Sequence, residues 1–185
     1  MSLVGPVSSV VLAAVTVIFY IVSTATNNWV MSESDSGTET YYGLWESCNR
    51  SGGARTCEYL HGSDVPGHVR AARGLMLTAV IFAGISWILV LVALIGKVTE
   101  QTDNAFLKCL TTRFWIINGL IFGATVLLVL IGTSVYAAET NKEYCKSGTD
   151  HSFGYSIIIG WISIPLGIIA ATMLTYFFRA MGDDD

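Results

Sequence analysis

The residues with the widest chemical repertoire in this 185-residue chain are its four cysteines and three histidines. Cys48 and Cys57 stand close together in a polar stretch between two apolar runs. Such a pair suits an oxidising compartment, where it closes as a disulfide. Two free thiols are the other reading. Cys109 sits in a different polar stretch, beside an apolar run, where palmitoylation and an unmodified thiol are both open. Cys145 stands alone, and a lone thiol on an oxidising side invites a disulfide between two copies. His61, His68 and His151 are all in polar stretches, and Asp64 lies between the first two. A metal site needs three or four convergent ligands, and these share no helical or hairpin spacing. A solvated loop is the better expectation. The chain carries no Gly-x-Ser-x-Gly nucleophile motif and no glycine-rich phosphate loop after a strand. We therefore expect no catalytic residue, no metal and no cofactor.

The elements that hold these residues are written in the charge distribution. The chain is 52% hydrophobic and 13% charged, with a mean hydropathy of +0.57. Soluble domains carry about a quarter charged residues. Four stretches are nearly free of charge, at 7–26, 74–96, 114–138 and 155–178. Each reaches the roughly 20 apolar residues a helix needs to cross a bilayer. Backbone groups in lipid must pair internally, and these runs lack the period-two alternation of a barrel strand. The first run has no Lys or Arg before it and is long for a signal-peptide core, so we read it as a retained span. Polar segments at 27–73 and 139–154 then share one side of the membrane, opposite both ends of the chain. The whole chain reads as one integral membrane domain.

Orientation is less direct. Lys and Arg are not concentrated on the side of the chain ends, so the positive-inside rule gives no answer. The clustered Cys48 and Cys57 place the long segment in an oxidising compartment. Asn49-Arg50-Ser51 is an N-glycosylation acceptor, usable only on the lumenal side. Both point to cytoplasmic N- and C-termini. With no basic run among aromatics, nucleic acid is not an expected partner.

The long polar segment has its own pattern. Thr38 to Trp45 is rich in strand formers and Arg55 to Leu60 alternates. Asn49-Arg50-Ser51-Gly52-Gly53 between them reads as a turn. A Cys48–Cys57 bond would staple that hairpin and add about 2–3 kcal/mol by chain entropy. Trp29, just past the first span, falls where an indole can sit among lipid headgroups with its N–H toward water. Gly119 and Gly123 form a GxxxG pattern that permits close helix approach, expected inside the bundle. Asn118 is the strongly polar residue deep in a span and should hydrogen-bond another helix. Pro165 should bend the fourth span.

The order Trp29, then Gly43-Leu44-Trp45, then Cys48 and Cys57 resembles the signature of the claudin superfamily of four-span proteins. That group includes the peripheral myelin protein, the epithelial membrane proteins, the lens fibre membrane protein and the calcium-channel gamma subunits. Arg70 to Met76 is similar to the claudin start of the second span. Arg113 to Ile116, Tyr155 to Trp161 and Pro165 look more like the myelin and epithelial branch. The resemblance implies an all-α, left-handed transmembrane four-helix bundle topped by a small antiparallel β-sheet. It implies that Trp29, Gly43, Leu44 and Trp45 lock the sheet to the bilayer surface and that Arg73 ties it to the bundle. The Trp29–Gly43 stretch is shorter than in most claudins, the chain does not end in Tyr-Val, and Asn49 would carry a glycan beside the disulfide. These departures weigh against a paracellular barrier or pore.

The function expected is that of a non-enzymatic plasma-membrane protein of cell–cell contacts. It would organise junctions or membrane apposition through its outer sheet, with lipids and further copies of itself, in cis and in trans, as partners. Other tetraspan or channel proteins are further candidates. The alternative is an auxiliary subunit of an ion channel. A transporter is disfavoured because paired intramembrane charges and broken-helix repeats are missing.

Overall fold

The computed structural model describes residues 4–34, 38–62, 65–99, 114–147 and 150–183. Cys109 and Asp64 lie outside the described residues. Helix α1 (Val4–Ala25) is followed by strands β1 (Val30–Glu33), β2 (Glu39–Tyr42), β3 (Glu46–Ser51) and β4 (Ala54–Tyr59). Helices α2 (Gly67–Val98) and α3 (Phe114–Ser147), the short strand β5 (His151–Phe153) and helix α4 (Tyr155–Asp183) complete the chain. All four helices are long and apolar enough to cross a membrane.

The helices form because their residues satisfy every backbone group internally, and they associate because their facing residues are small. Ala13, Ala72, Ala79, Ala83 and Ala170 are fully buried, which lets backbones approach closely. Buried hydroxyls bond back to their own helix: Thr16 to the Leu12 carbonyl at 2.9 Å, Thr24 to Tyr20 at 2.6 Å, Thr133 to Val129 at 2.9 Å. That removes the cost of carrying them into an apolar interior. The outward faces are apolar instead of polar. Ile18, Ile81, Leu120, Leu127 and Ile168 all stand exposed, the pattern expected when lipid is the solvent.

The five strands form one antiparallel sheet in the order β4-β3-β2-β1-β5. Its registry revises the hairpin expected from sequence. The turn is confined to Gly52 and Gly53, both at positive φ, while Asn49 to Ser51 belong to β3. The strand formers before Trp45 make a separate strand, β2, which pairs with both β1 and β3. Cys48 and Cys57 are directly opposed and bonded. Two Gly residues supply the left-handed backbone that a two-residue hairpin turn demands, so neighbouring polar residues were free to extend the strand.

Two outer boundaries also move. The first polar segment was expected to run to 73, but α2 begins at Gly67 and carries Arg70 and Arg73 on its first turns. Pro66 precedes it and accepts the Arg70 N–H at 3.2 Å; its fixed φ suits a helix start. The second polar segment was expected from 139, but α3 continues to Ser147. Lys142 donates to Glu139 at 2.5 Å, an i,i+3 pair on that extension. Absence of charge marks where a helix is in lipid, and it does not mark where the helix ends.

Candidate functional site

The site is the seam where the sheet is mounted on the bundle. It begins at the end of α1. The last carbonyls of a helix have no partner within it, and here two indoles supply them. Trp29 Nε1–H donates to the Ser23 carbonyl at 2.9 Å and Trp45 Nε1–H to the Thr24 carbonyl at 2.8 Å. Trp29 is fully buried, with its ring edge-on to Tyr136 of α3 at 4.8 Å between centroids. The expected place among headgroups, N–H toward water, is therefore wrong for Trp29. The indole is a core residue because a helix end offers it a carbonyl that headgroups and water would offer less firmly. Leu44 is fully buried as well. The Trp29 and Leu44 side chains join the sheet to protein, and half-buried Trp45 bonds the same helix end.

Gly43 is required sterically. A Cβ there would stand 2.5 Å from the Asn27 Cα. Arg73 closes the seam from α2. Its guanidinium donates to the Leu44 carbonyl through Nε and to the Leu60 carbonyl through Nη2 at 3.3 Å. The same group lies over the Trp45 ring, 5.2 Å from its centroid, a cation–π contact. One cation thus ties α2 to the turn after β2 and to the end of β4.

Sequence reasoning missed the α4 side of the seam. Ser156 meets the end of α1 and the chain just beyond it with every polar atom it has. Its carbonyl accepts from Ser23 Oγ at 2.8 Å, its Oγ from Thr26 Oγ1 at 2.7 Å and from the Asn28 N–H at 3.1 Å, and its N–H donates to the Asn28 carbonyl at 3.0 Å. Gly154 donates to the Trp29 carbonyl at 3.0 Å, and any Cβ at 154 would collide with Asn28. Asn27 donates to the Glu46 carboxylate on β3. These are short-range backbone partners of a distant segment, and no periodicity announces them. The Gly-Tyr-Ser triplet at 154–156 was the available sign.

Other predicted residues are placed as follows. Asn118 on α3 bonds the Ser86 hydroxyl of α2 at 3.2 Å. The GxxxG pair divides: Gly119 packs against Thr175 of α4, with no room for a Cβ, while Gly123 faces open space. Pro165 lies inside α4, and Ser163 gives its proton to the Gly160 carbonyl. Cys145 is exposed near the end of α3. Asn49 is exposed on β3.

A cavity of 390 Å3 opens between the sheet and the helix ends, lined by Val30, Tyr42, His68, Tyr136, Glu143 and Tyr144 among others. His68 Nδ1 lies 3.8 Å from the Glu143 carboxylate. Among the described lining residues, no serine or cysteine stands with that pair. Glu46, Cys48 and Cys57 bring ligand atoms within 4.8 Å of one another. Both sulfurs are spent in the disulfide, so the cluster is not a thiolate metal site.

The family model described as PMP-22/EMP/MP20/Claudin matches residues 3–174, from α1 through most of α4. The chain belongs to the PMP-22/EMP/MP20/Claudin family. It is 30% identical to human claudin-19 over 83% of this chain and 72% of that protein. It is 27% identical to human claudin-11, covering 83% and 74% of the two chains. Human epithelial membrane protein 1 is 26% identical, over 85% of this chain and 87% of its own. Membership makes this a non-enzymatic four-span membrane protein of cell junctions, and the relatives matched do not favour the channel-subunit alternative.

Proposed function

We propose that the sheet is extracellular, that both chain ends are cytosolic, and that copies of this protein associate through the sheet within one plasma membrane and across two. The observation that supports this reading is the construction of the sheet. It is cross-linked by a disulfide suited to an oxidising compartment and fixed to all four helices at the seam. A sheet so mounted presents an unchanging surface to neighbours, which is what repeated lateral contact needs. Its edge strand β4 is exposed along its length, and an open edge is a template for pairing. Exposed Asn49 is then available to a glycan, and exposed Cys145 to a disulfide with a second copy.

Labelling intact cells with a membrane-impermeant maleimide tests the orientation. Cys145 left outside such a disulfide should react at once and Cys109 only after permeabilisation; the reverse order overturns it. Freeze-fracture of cells expressing this chain alone tests the association. Continuous fibrils indicate strand formation as in claudins, and clustered particles indicate the myelin and epithelial mode. Particles that remain monomeric overturn self-association.

A further inference from the structure

A second cavity lies on the other face of the sheet from the Tyr136 cavity. Its volume is 590 Å3, and its wall includes Asn27, Asn28, Tyr41, Arg50, Arg55 and Tyr155. Pockets of about 300–1,000 Å3 suit small ligands. The residues come from the chain beyond α1, the start of α4 and the β3–β4 hairpin, so the cavity sits at the level where the helices leave the membrane.

Two observations single it out. Arg50 and Arg55 are directly opposed across the β3–β4 pair. Like charges in that position destabilise a sheet. Glu39 answers Arg50 with a 3.8 Å ion pair, but Arg55 touches only the Cys48 sulfur, at 3.4 Å, and has no carboxylate partner among the described residues. Tyr155 heads a stripe on α4 with Ile158 and Ile162, spaced i, i+3, i+7 and exposed by 51%, 43% and 48%. That stripe leads from the cavity into the apolar span Tyr155–Phe177.

We propose that this cavity holds the zwitterionic headgroup of a phospholipid from the leaflet on the sheet side, with its acyl chains along the Tyr155 stripe. The phosphate lies between Arg50 and Arg55, whose planar donors match its oxygens. It bridges the two guanidiniums and screens their mutual repulsion. The headgroup ammonium faces the Tyr41 and Tyr155 rings. Glu39, paired with Arg50, and Glu46, whose carboxylate lies 3.9 Å from the Cys48 sulfur that Arg55 touches, together balance the two guanidinium charges and disfavour a headgroup of net negative charge. The inference is independent of the adhesive role and of which side of the membrane is extracellular.

Native mass spectrometry of the full chain released from detergent tests it. The probes are phosphatidylethanolamine, phosphatidylglycerol and diacylglycerol with identical chains, and glycerophosphoethanolamine. One phosphatidylethanolamine should be retained, with about tenfold preference over diacylglycerol. The double variant Arg50→Gln, Arg55→Gln should lose that preference, while Arg70→Gln, on α2, keeps it. Tyr155→Ala, outside the hairpin, should weaken retention even if the double variant misfolds; resistance of Cys48 and Cys57 to alkylation without reductant reports folding. Equal retention of diacylglycerol, preference for phosphatidylglycerol, or full retention by both folded variants overturns the site. Glycerophosphoethanolamine bound as well as the intact lipid overturns its membrane source.

Discussion

The seam and the hairpin tip of the same sheet are built on opposite principles. At the seam, Trp29, Leu44 and Tyr136 are buried, and indole, guanidinium and hydroxyl groups meet carbonyls of other elements. At the tip, every residue of β4 is exposed, and the described side-chain contacts are one ion pair and a few bonds to Glu39 and Cys48. The disulfide joins the two strands of that tip. The seam is stabilised by burial and by contacts distributed over α1, α2, α3 and α4. The tip is stabilised by a covalent constraint that needs no core. Polar and charged residues can dominate the tip because covalency there replaces packing.

The sharpest way to break this contrast is Trp29→Ala. It removes a fully buried indole, and large aromatic truncations in cores cost about 3–5 kcal/mol. The expected result is a strong fall in thermal stability in detergent, with hydrogen exchange rising in β1, in β2 and at the end of α1 together. Exchange confined to β1 would mean that the seam is not one unit. The double variant Cys48→Ser, Cys57→Ser should cost less, about 2–3 kcal/mol, and should act at the other end. Exchange should rise in β3 and β4 while the Trp45 and Trp29 indole N–H groups stay protected. Loss of that protection would show that the staple supports the seam as well.

Gly43→Ala comes next. The added methyl meets Asn27 backbone at 2.5 Å, and small-to-large changes in packed sites cost about 1–3 kcal/mol. Gly53→Ala is its counterpart at the tip. Nothing lies within 4 Å of the added carbon there, and the strain comes from φ of +88° alone. Equal sensitivity of the two positions to proteolysis would erase the distinction between packing and backbone strain.

Much of this was legible in the sequence, for reasons that can be named. The four spans follow from charge-free length. The disulfide follows from two cysteines in a polar segment beside a span. The signature residues Trp29, Gly43, Leu44, Trp45 and Arg73 were singled out, but what they touch was not. Burial of Trp29 depends on α3 running beside it, and sequence spacing holds no record of a neighbour more than 100 positions away. Strand β5 was missed because three residues cannot show a period. The partition of Gly119 from Gly123 was missed because a GxxxG pattern fixes distance along one helix and says nothing of which helix fills the groove.

The smallest expected effect probes the tip alone. Tyr41 O–H donates to the Glu39 carboxylate at 2.5 Å. That bond is lost if the phenol ionises, so Glu39 holds the Tyr41 pKa above the ordinary 10.0. A group whose pKa is raised on folding adds stability that is complete below its unfolded value and fades as pH climbs through the folded one. The window is therefore alkaline, above the usual tyrosine range. Tyr41 is only half-buried, so solvent screens the interaction, and the change should register in local exchange of β2 and β3 and leave the melting of the whole protein unmoved. The tyrosinate absorbance of the wild type minus that of Tyr41→Phe should show one phenol titrating above 10.0. A difference curve centred at or below that value would mean that Glu39 is committed to Arg50 instead. The tip would then hold an ion pair stronger than its exposure allows, and the contrast between a packed seam and a tethered tip would weaken at the place where it is drawn most sharply.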